Sequence, residues 1–569
     1  MEISVESTAD AYLELLARRG IKYFFANAGT DFAPLLEGFA KRGAEGKPWP
    51  KPVLCPHEST AVSMAHGYYM VTREPQAAMV HVTVGTANAA AQVMNASRSQ
   101  VPILFTAGRT PITEEGLFGG RNVYIHWAQE SRDQGAMIRE YVKWDYELRH
   151  YAQLETVVDR ALSLAMADPP GPVYLILPRE ILAEKHTALS LRRAEVRYGG
   201  SSPQPNAEQV ERAAELLAGA ESPLLIAGAS GLDPDTVPLL VDLAETGAIP
   251  VVEFRSLYTN FPSSHPLHLG FDPQGLLQEA DTVVVLETDV PWMPVECKPP
   301  VSAPVIHLGR DPYYSSYVIR GYPMDVALVG EPAAGLRNLR AALAERVKGK
   351  EAALKKRRAR LGGVHDRQRA EWARQAKAAG REKPIDPRWV SSCINQINDE
   401  DTLLVNEYDL VSNHVDFTRP GAFFGSPHAS GLGWALGASL GAKLARPEKT
   451  VIATVGDGSY MFNSPTSAHF VSRAQGLPIL VVVFNNQCWN AVRKEILELY
   501  PDGWSTGRDQ YALCDLEPSP HFEKSVEAHE GYGERVEDPR EVLPALKRAL
   551  RAVREEGRQA LLNVICKHP

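Results

Sequence analysis

Apolar runs of about four to eight residues alternate along the chain with segments of helical period. The first turn of sequence predicts a helix: Thr8 as cap, Tyr12, Leu15 and Leu16 on one face, Gly20 as terminator. "IKYFFANAGT" then reads as a buried strand broken at Gly29, and further strands are predicted at "KPVLCPHE", "AAMVHVTVGT", "VPILFTAG" and "GPVYLILP". The polar stretch "YGGSSPQPNAEQ" reads as a linker. A second series follows, from "SPLLIAGASG" through "IPVVEF" and "DTVVVLET" to "APVIHLGRDP". A third holds "DTLLVNE", "TVIATVGDG", "LPILVVVFNN" and "ALLNVICK", with Val542, Leu546, Ala549, Leu550 and Val553 on one helical stripe before the last strand. Uninterrupted apolar strands separated by helices imply parallel sheets covered on both faces, an α/β fold. The expected organisation is three doubly wound domains: residues 1–185, 200–340 and 386–569, with a charged helical linker over 341–385.

Composition narrows this picture without changing it. At 569 residues and 44% hydrophobic, the chain suits about three domains with large cores. A net charge of −9 argues against a nucleic-acid partner. The basic run Lys355-Lys356-Arg357-Arg358 therefore reads as the solvated face of a helix rather than a nucleic-acid or membrane patch. Six scattered cysteines without CxxC spacing point to a reducing, cytoplasmic setting, and the N-terminus lacks the basic start of a signal peptide. The longest apolar runs, such as 477–484, are too short to span a bilayer.

Candidate chemistry enters at two strand ends. "TVIATVGDGS" closes on Gly456-Asp457-Gly458-Ser459, and "LPILVVVFNN" on Asn485-Asn486. In open α/β sheets ligands bind beyond the carboxyl ends of strands. Glycines permit close approach to a phosphate, Asp457 and Asn486 offer hard oxygens suited to Mg²⁺, and Ser459 offers a donor. A GDGS turn alone is weak evidence; its pairing with NN after 26 intervening residues is stronger.

That pairing resembles the thiamine-diphosphate enzymes, specifically the 2-oxo acid decarboxylase and acetolactate synthase-like group. The resemblance implies Mg²⁺ on Asp457, Asn486 and the backbone carbonyl of Cys488, with Gly456, Asp457, Gly458, Ser459 and Asn486 around the diphosphate. "LCPHESTAVSMAHGYYMV" supplies Glu58 where the family's glutamate meets the aminopyrimidine; His66 stands where the family has an acidic residue. The implied role of Glu58 is to favour the imino tautomer that generates the ylide. "GLGWALGASLGAKLA" places Leu432 as the apolar wedge and Ser430 as the carbonyl for the 4′-amino group. The resemblance also implies sharing of the site between subunits, hence a homodimer at least, with a homotetramer expected.

Substrate-side motifs look most like benzoylformate decarboxylase. Thr30 in "FFANAGTDFAPLLEGF" matches an active-site serine, and His81 in "VHVTVGTANAA" fits an H-x-x-x-G-T-x-N pattern with a proton-relay histidine. For His81 a core histidine satisfied by backbone stands as an equal alternative. Gln129 in "IHWAQES" resembles a synthase glutamine that would orient an acceptor. His265 and His268 fit an acetolactate-synthase-like segment, and Val492 replaces the glutamate of pyruvate decarboxylases. Flavin-binding features are not evident, so FAD is left open without support. The expected activity is non-oxidative decarboxylation of a 2-oxo acid through an enamine; the alternatives are carboligation or acyl transfer on the same cofactor, or a non-catalytic cofactor-binding paralogue. The lack of GxxxxGK[ST] excludes a P-loop protein.

Overall fold

The computed structural model describes residues 1–193, 198 and 203–568. Of the expected linker over 198–209, residues 199–202 lie outside the described residues. The chain divides into two compact units: one of residues 1–200, 426–535 and 549–563, the other of residues 201–425, 536–548 and 564–569.

In the first unit six strands form one parallel sheet in the spatial order Lys51–Leu54, Tyr23–Ala26, Ala77–Val80, Leu104–Arg109, Val173–Pro178, Asp145–Glu147. Phe25 sits opposite Val53 on one side and Ala78 on the other. The strands are apolar because both sheet faces are covered, and Phe24, Phe25, Met79, Leu104 and Leu175 are fully buried. After Tyr23–Ala26 the chain crosses to one side of the sheet, and after Ala77–Val80 to the other. That reversal is the point at which open α/β sheets take ligands, and residues 27–31 and His81 lie at the strand ends there. In the same unit Thr450–Gly456 and Leu480–Asn485 pair in parallel, Gly456 opposite Phe484, so their carboxyl ends lie side by side.

The second unit holds the parallel order Val251–Val252, Pro223–Ala227, Thr282–Leu286, Val305–Gly309, Val326–Val329. Its 29-residue helix Glu351–Ala379 carries the basic run. Lys355, Lys356 and Arg358 of that run are exposed, as on a solvated helix, and its two arginines also bond backbone. Arg357 donates to the carbonyls of Gly247 and Ala220, and Arg358 to that of Glu245. These are carbonyls at the C-terminal ends of two helices, where partners within the helix run out.

Two local expectations also differ. Ser7, not Thr8, caps the first helix, its hydroxyl accepting from the Asp10 amide; Thr8 is the first helical residue. "HVTVGT" does not extend a strand: Val80 ends it, His81 takes the cap position and Val82–Arg98 is helix. Its β-branched residues favour strand, but tertiary contacts override them. Thr83 donates to the Gln129 carbonyl, and Thr86 hydrogen-bonds both the Val82 carbonyl and the Tyr174 hydroxyl.

Helices Glu58–Thr72 and Ala435–Ala445 pack backbone to backbone within the first unit. A β-carbon at Gly437 would stand 2.6 Å from Ser63 Cβ, and one at Gly441 2.8 Å from the Tyr68 amide nitrogen. Only glycine permits that approach, and it fixes the helix that begins with Glu58.

Candidate active site

Glu58 opens helix Glu58–Thr72 and is buried. A buried carboxylate needs partners, and here both are neutral amides: Asn27 Nδ2 at 3.0 Å from Oε1 and Asn88 Nδ2 at 3.1 Å from Oε2. Asn27 follows strand Tyr23–Ala26 at the crevice, while Asn88 lies two turns into helix Val82–Arg98. The same helix reaches the loop containing Ser430 and Leu432. Gln92 Nε2 donates to the Leu432 carbonyl at 3.0 Å, and Asn95 both donates to the Gly431 carbonyl and accepts from its amide. Ser430 is exposed with φ of 54°, and Leu432 is half-buried. One helix thus clamps Glu58 and the 430–432 loop together.

At the other pair of strand ends, Asp457 is buried at the start of helix Asp457–Phe462. Its Oδ1 accepts from the Gly458 amide at 2.8 Å and its Oδ2 from the Gln487 amide at 2.6 Å. Burial pushes this carboxyl up to about 6, against the opposing pull of those amides. Asn486 Oδ1 accepts from the Cys488 amide, and the Cys488 carbonyl accepts from the Asn490 amide. Asn485 behaves differently: its amide donates to Ser519 and Asn563, stapling the turn. Gly458 faces the Trp489 ring, which a β-carbon would strike. Among the described residues no group of three His, Cys, Asp or Glu could hold a metal. A cation here would instead meet one carboxylate, an amide oxygen and a carbonyl, a hard-oxygen set that fits Mg²⁺ completed by phosphate oxygens.

The crevice wall gathers the other expected residues. Thr30 Oγ1 lies 3.3 Å from His126 Nε2, and His81 Nδ1 lies 2.5 Å from Asp31 Oδ1. The Gln129 carbonyl is held by Thr83, while its Oε1 is buried without a partner in good hydrogen-bonding geometry. Burial, with the charges of Arg179, Arg121 and His81, holds His126 below the ordinary histidine value. His66 is buried edge-on to Trp434 at 5.4 Å, with both ring nitrogens unpartnered; burial lowers it to about 3. His268 pairs with Glu253 and His265 with Glu245 inside the second unit, and Val492 is exposed on helix Asn490–Leu499. Sequence reasoning gave no role to Asn27, Asp31, Asn88, Gln92, Asn95 or His126. Asn88 closes the H-x-x-x-G-T-x-N pattern, and Asn27, Asp31 and His126 lie beside the expected residues in sequence, but their partners are distant in sequence.

A doubly wound crevice with a buried glutamate, and two adjacent strand tips carrying GDGS and NN, define a class of cofactor enzyme: the chain belongs to the thiamine pyrophosphate enzymes. Residues 6–137 match the N-terminal TPP binding domain of that family, 210–339 its central domain and 407–564 its C-terminal TPP binding domain. Among relatives, the chain is 26% identical to a benzoylformate decarboxylase of Pseudomonas aeruginosa, covering 86% of this chain and 88% of the relative. It is 24% identical to a sulfoacetaldehyde acetyltransferase of Castellaniella defragrans, covering 98% and 93%. A solved 4-hydroxybenzoylformate decarboxylase of Rhodococcus jostii shares the fold with a TM-score of 0.78 at 21% identity, covering 99% of both chains. No helix among the described residues is long and apolar enough to cross a membrane.

Proposed function

We propose that this protein is a thiamine-diphosphate- and Mg²⁺-dependent lyase that decarboxylates a 2-oxo acid without oxidation. The observation that carries the reading is the Glu58 carboxylate, buried at the crevice and hydrogen-bonded by two neutral amides, with no ion pair to it among the described residues. When bound, thiamine diphosphate supplies a nucleophilic carbon and an electron sink for cleaving the bond to the substrate carboxylate. Glu58 would exchange a proton with the pyrimidine ring, its orientation set by Asn27 and Asn88. The Ser430 carbonyl would accept from the ring amino group, with Leu432 supporting the bent cofactor. Asp457, Asn486 and the Cys488 carbonyl would hold Mg²⁺, and Gly456, Gly458 and Ser459 would line the diphosphate. Thr30, His81 and Gln129 would face the substrate.

An aromatic 2-oxo acid is the first substrate to test, because the benzoylformate-like motifs at Thr30 and His81 agree with the relatives' names. Carboligation or acyl transfer is the second reading, favoured by the acetyltransferase relative. Carbon dioxide release from a panel of 2-oxo acids, with and without an added aldehyde, separates the two. Glu58→Gln at saturating cofactor should lose nearly all turnover; full activity would refute the assigned proton exchange.

The proposal extends to a homodimer at least, and a homotetramer by preference, in a reducing cytoplasm. Helix Asn490–Leu499 buries no residue, leaving Val492, Leu497 and Leu499 exposed beside Trp504. A dilute monomer with full activity would contradict the shared site. The domain limits 1–185, 200–340, 341–385 and 386–569 belong to the same proposal.

A further inference from the structure

Three separate segments converge on one pair of side chains at the crevice. His81 follows strand Ala77–Val80, Gly29 and Asp31 belong to the turn Thr30–Phe32 and its cap, and Gly108 belongs to strand Leu104–Arg109. Asp31 Oδ1 meets His81 Nδ1 at 2.5 Å. A β-carbon at Gly29 would fall inside the His81 ring, and one at Gly108 would fall on the Asp31 carboxylate. Val82, directly after His81, has φ of 34°, a left-handed conformation that a β-branched residue rarely adopts. Asp31 is buried, its Oδ1 meets the imidazole and its Oδ2 has no hydrogen-bond partner among the described residues, while its charge also acts on His126 and Arg179. Two omitted side chains and one strained backbone residue are more than a core histidine needs.

We propose that Asp31 is a positioning residue: it holds the Nδ1–H of His81 and leaves Nε2 as the nitrogen that exchanges a proton with the substrate. The proposal rests on the reading of the crevice as the substrate side of the site. In the step, the His81 Nε2–H bond breaks as the proton passes to substrate carbon or oxygen. The ring keeps its Nδ1–H on Asp31, and Nε2 is reprotonated from water, so Asp31 is not consumed. The His81 side chain keeps 16% exposure, enough for that exchange.

The groups facing the ring agree. Burial works to lower the pKa of His81, but the Asp31 carboxylate carries it above the ordinary value, with Gln129 and the charge of Glu58 adding to the rise. His126 on the short helix Ile125–Ala128 is held low, in part by His81, with Arg121 and Arg179 acting in the same direction. The two histidines are therefore shifted in opposite directions, His81 toward the protonated form and His126 toward the neutral one.

The test uses the full-length protein and a readout separate from turnover. Diethylpyrocarbonate acylates neutral imidazole, so peptide-resolved modification of His81 across pH reports its titration. In the native protein the midpoint should lie above about 6.5; a midpoint at or below that value overturns the proposal without any variant. In Asp31→Asn the midpoint should fall by about one unit or more, and the alkaline limb of the kcat profile, where His81 loses the proton it donates, should move to lower pH with it. An unchanged midpoint in a folded Asp31→Asn protein also overturns it. Quenching of tryptophan fluorescence by thiamine diphosphate is followed in parallel. Failure of the native protein to take up cofactor would defeat the functional reading, while the His81 titration would still decide independently whether Asp31 controls the imidazole.

Discussion

Replacing Gly441 by alanine sets two effects of known sign against each other. In a helix interior the change favours alanine by about 1 kcal/mol. In helix Ala435–Ala445 the new methyl would stand 2.8 Å from the Tyr68 nitrogen and 2.9 Å from the Met64 carbonyl carbon, both backbone atoms of helix Glu58–Thr72. Favourable contact begins near about 3.5 Å, and the nearest atom of all is the Met64 carbonyl oxygen, so that helix would have to withdraw by about an ångström. Overpacking of this kind costs about 1–3 kcal/mol, and an obstacle made of backbone belongs at the upper end. The expected net loss is about 2 kcal/mol. Gly43→Ala is the control: the nearest atom to its β-carbon is Trp49 Cζ2 at 3.9 Å, an ordinary contact, so alanine should gain about 0.5 kcal/mol. Unfolding entropy of about 2.1 cal/mol/K per residue makes 1 kcal/mol worth about 1.5 °C in a cooperative unit of roughly 300 residues. Scanning calorimetry at one fixed rate should place Gly441→Ala about 3 °C below the native protein and Gly43→Ala slightly above it. Because Glu58 is the first residue of the displaced helix, Gly441→Ala should also weaken cofactor uptake. A Gly441→Ala midpoint at or above the native one would refute the inference that backbone contact sets this helix pair.

His66 stays neutral in the folded chain down to about pH 3 but gains a proton near 6.5 when unfolded. Its folded value is depressed, so stability is lost as pH falls through 6.5, at about 1.4 kcal/mol per unit. His66→Leu removes that loss and the two partnerless nitrogens, and should exceed the native protein by about 2 kcal/mol at pH 5; matching acid-side melting curves would count against it. Asp457→Asn keeps an oxygen but loses the charge. Mg²⁺-supported binding of thiamine diphosphate should weaken at least about 100-fold by calorimetry, and native-like affinity would remove Asp457 from the metal set.

What the sequence by itself determined follows from local chemistry. Apolar strand runs specify parallel sheets, because a strand covered on both faces has no polar side to show. GDGS and NN lie at strand ends, and the two strands pair in parallel, so Asp457 and Gln487 come into contact. The signal that placed Glu58, Ser430 and Leu432 was a linear motif, legible without coordinates. What holds them was not. Asn27 and Asn88 reach Glu58 across 31 and 30 residues, and Gln92 reaches Leu432 across 340. "HVTVGT" misled because β-branched residues favour strand locally, while Thr83 meets Gln129 and Thr86 meets Tyr174 only in tertiary contact. The pairing of Asp31 with His81 was equally hidden. It depends on two glycines chosen for the space they leave, and a missing side chain acquires meaning only when the chain has folded around it.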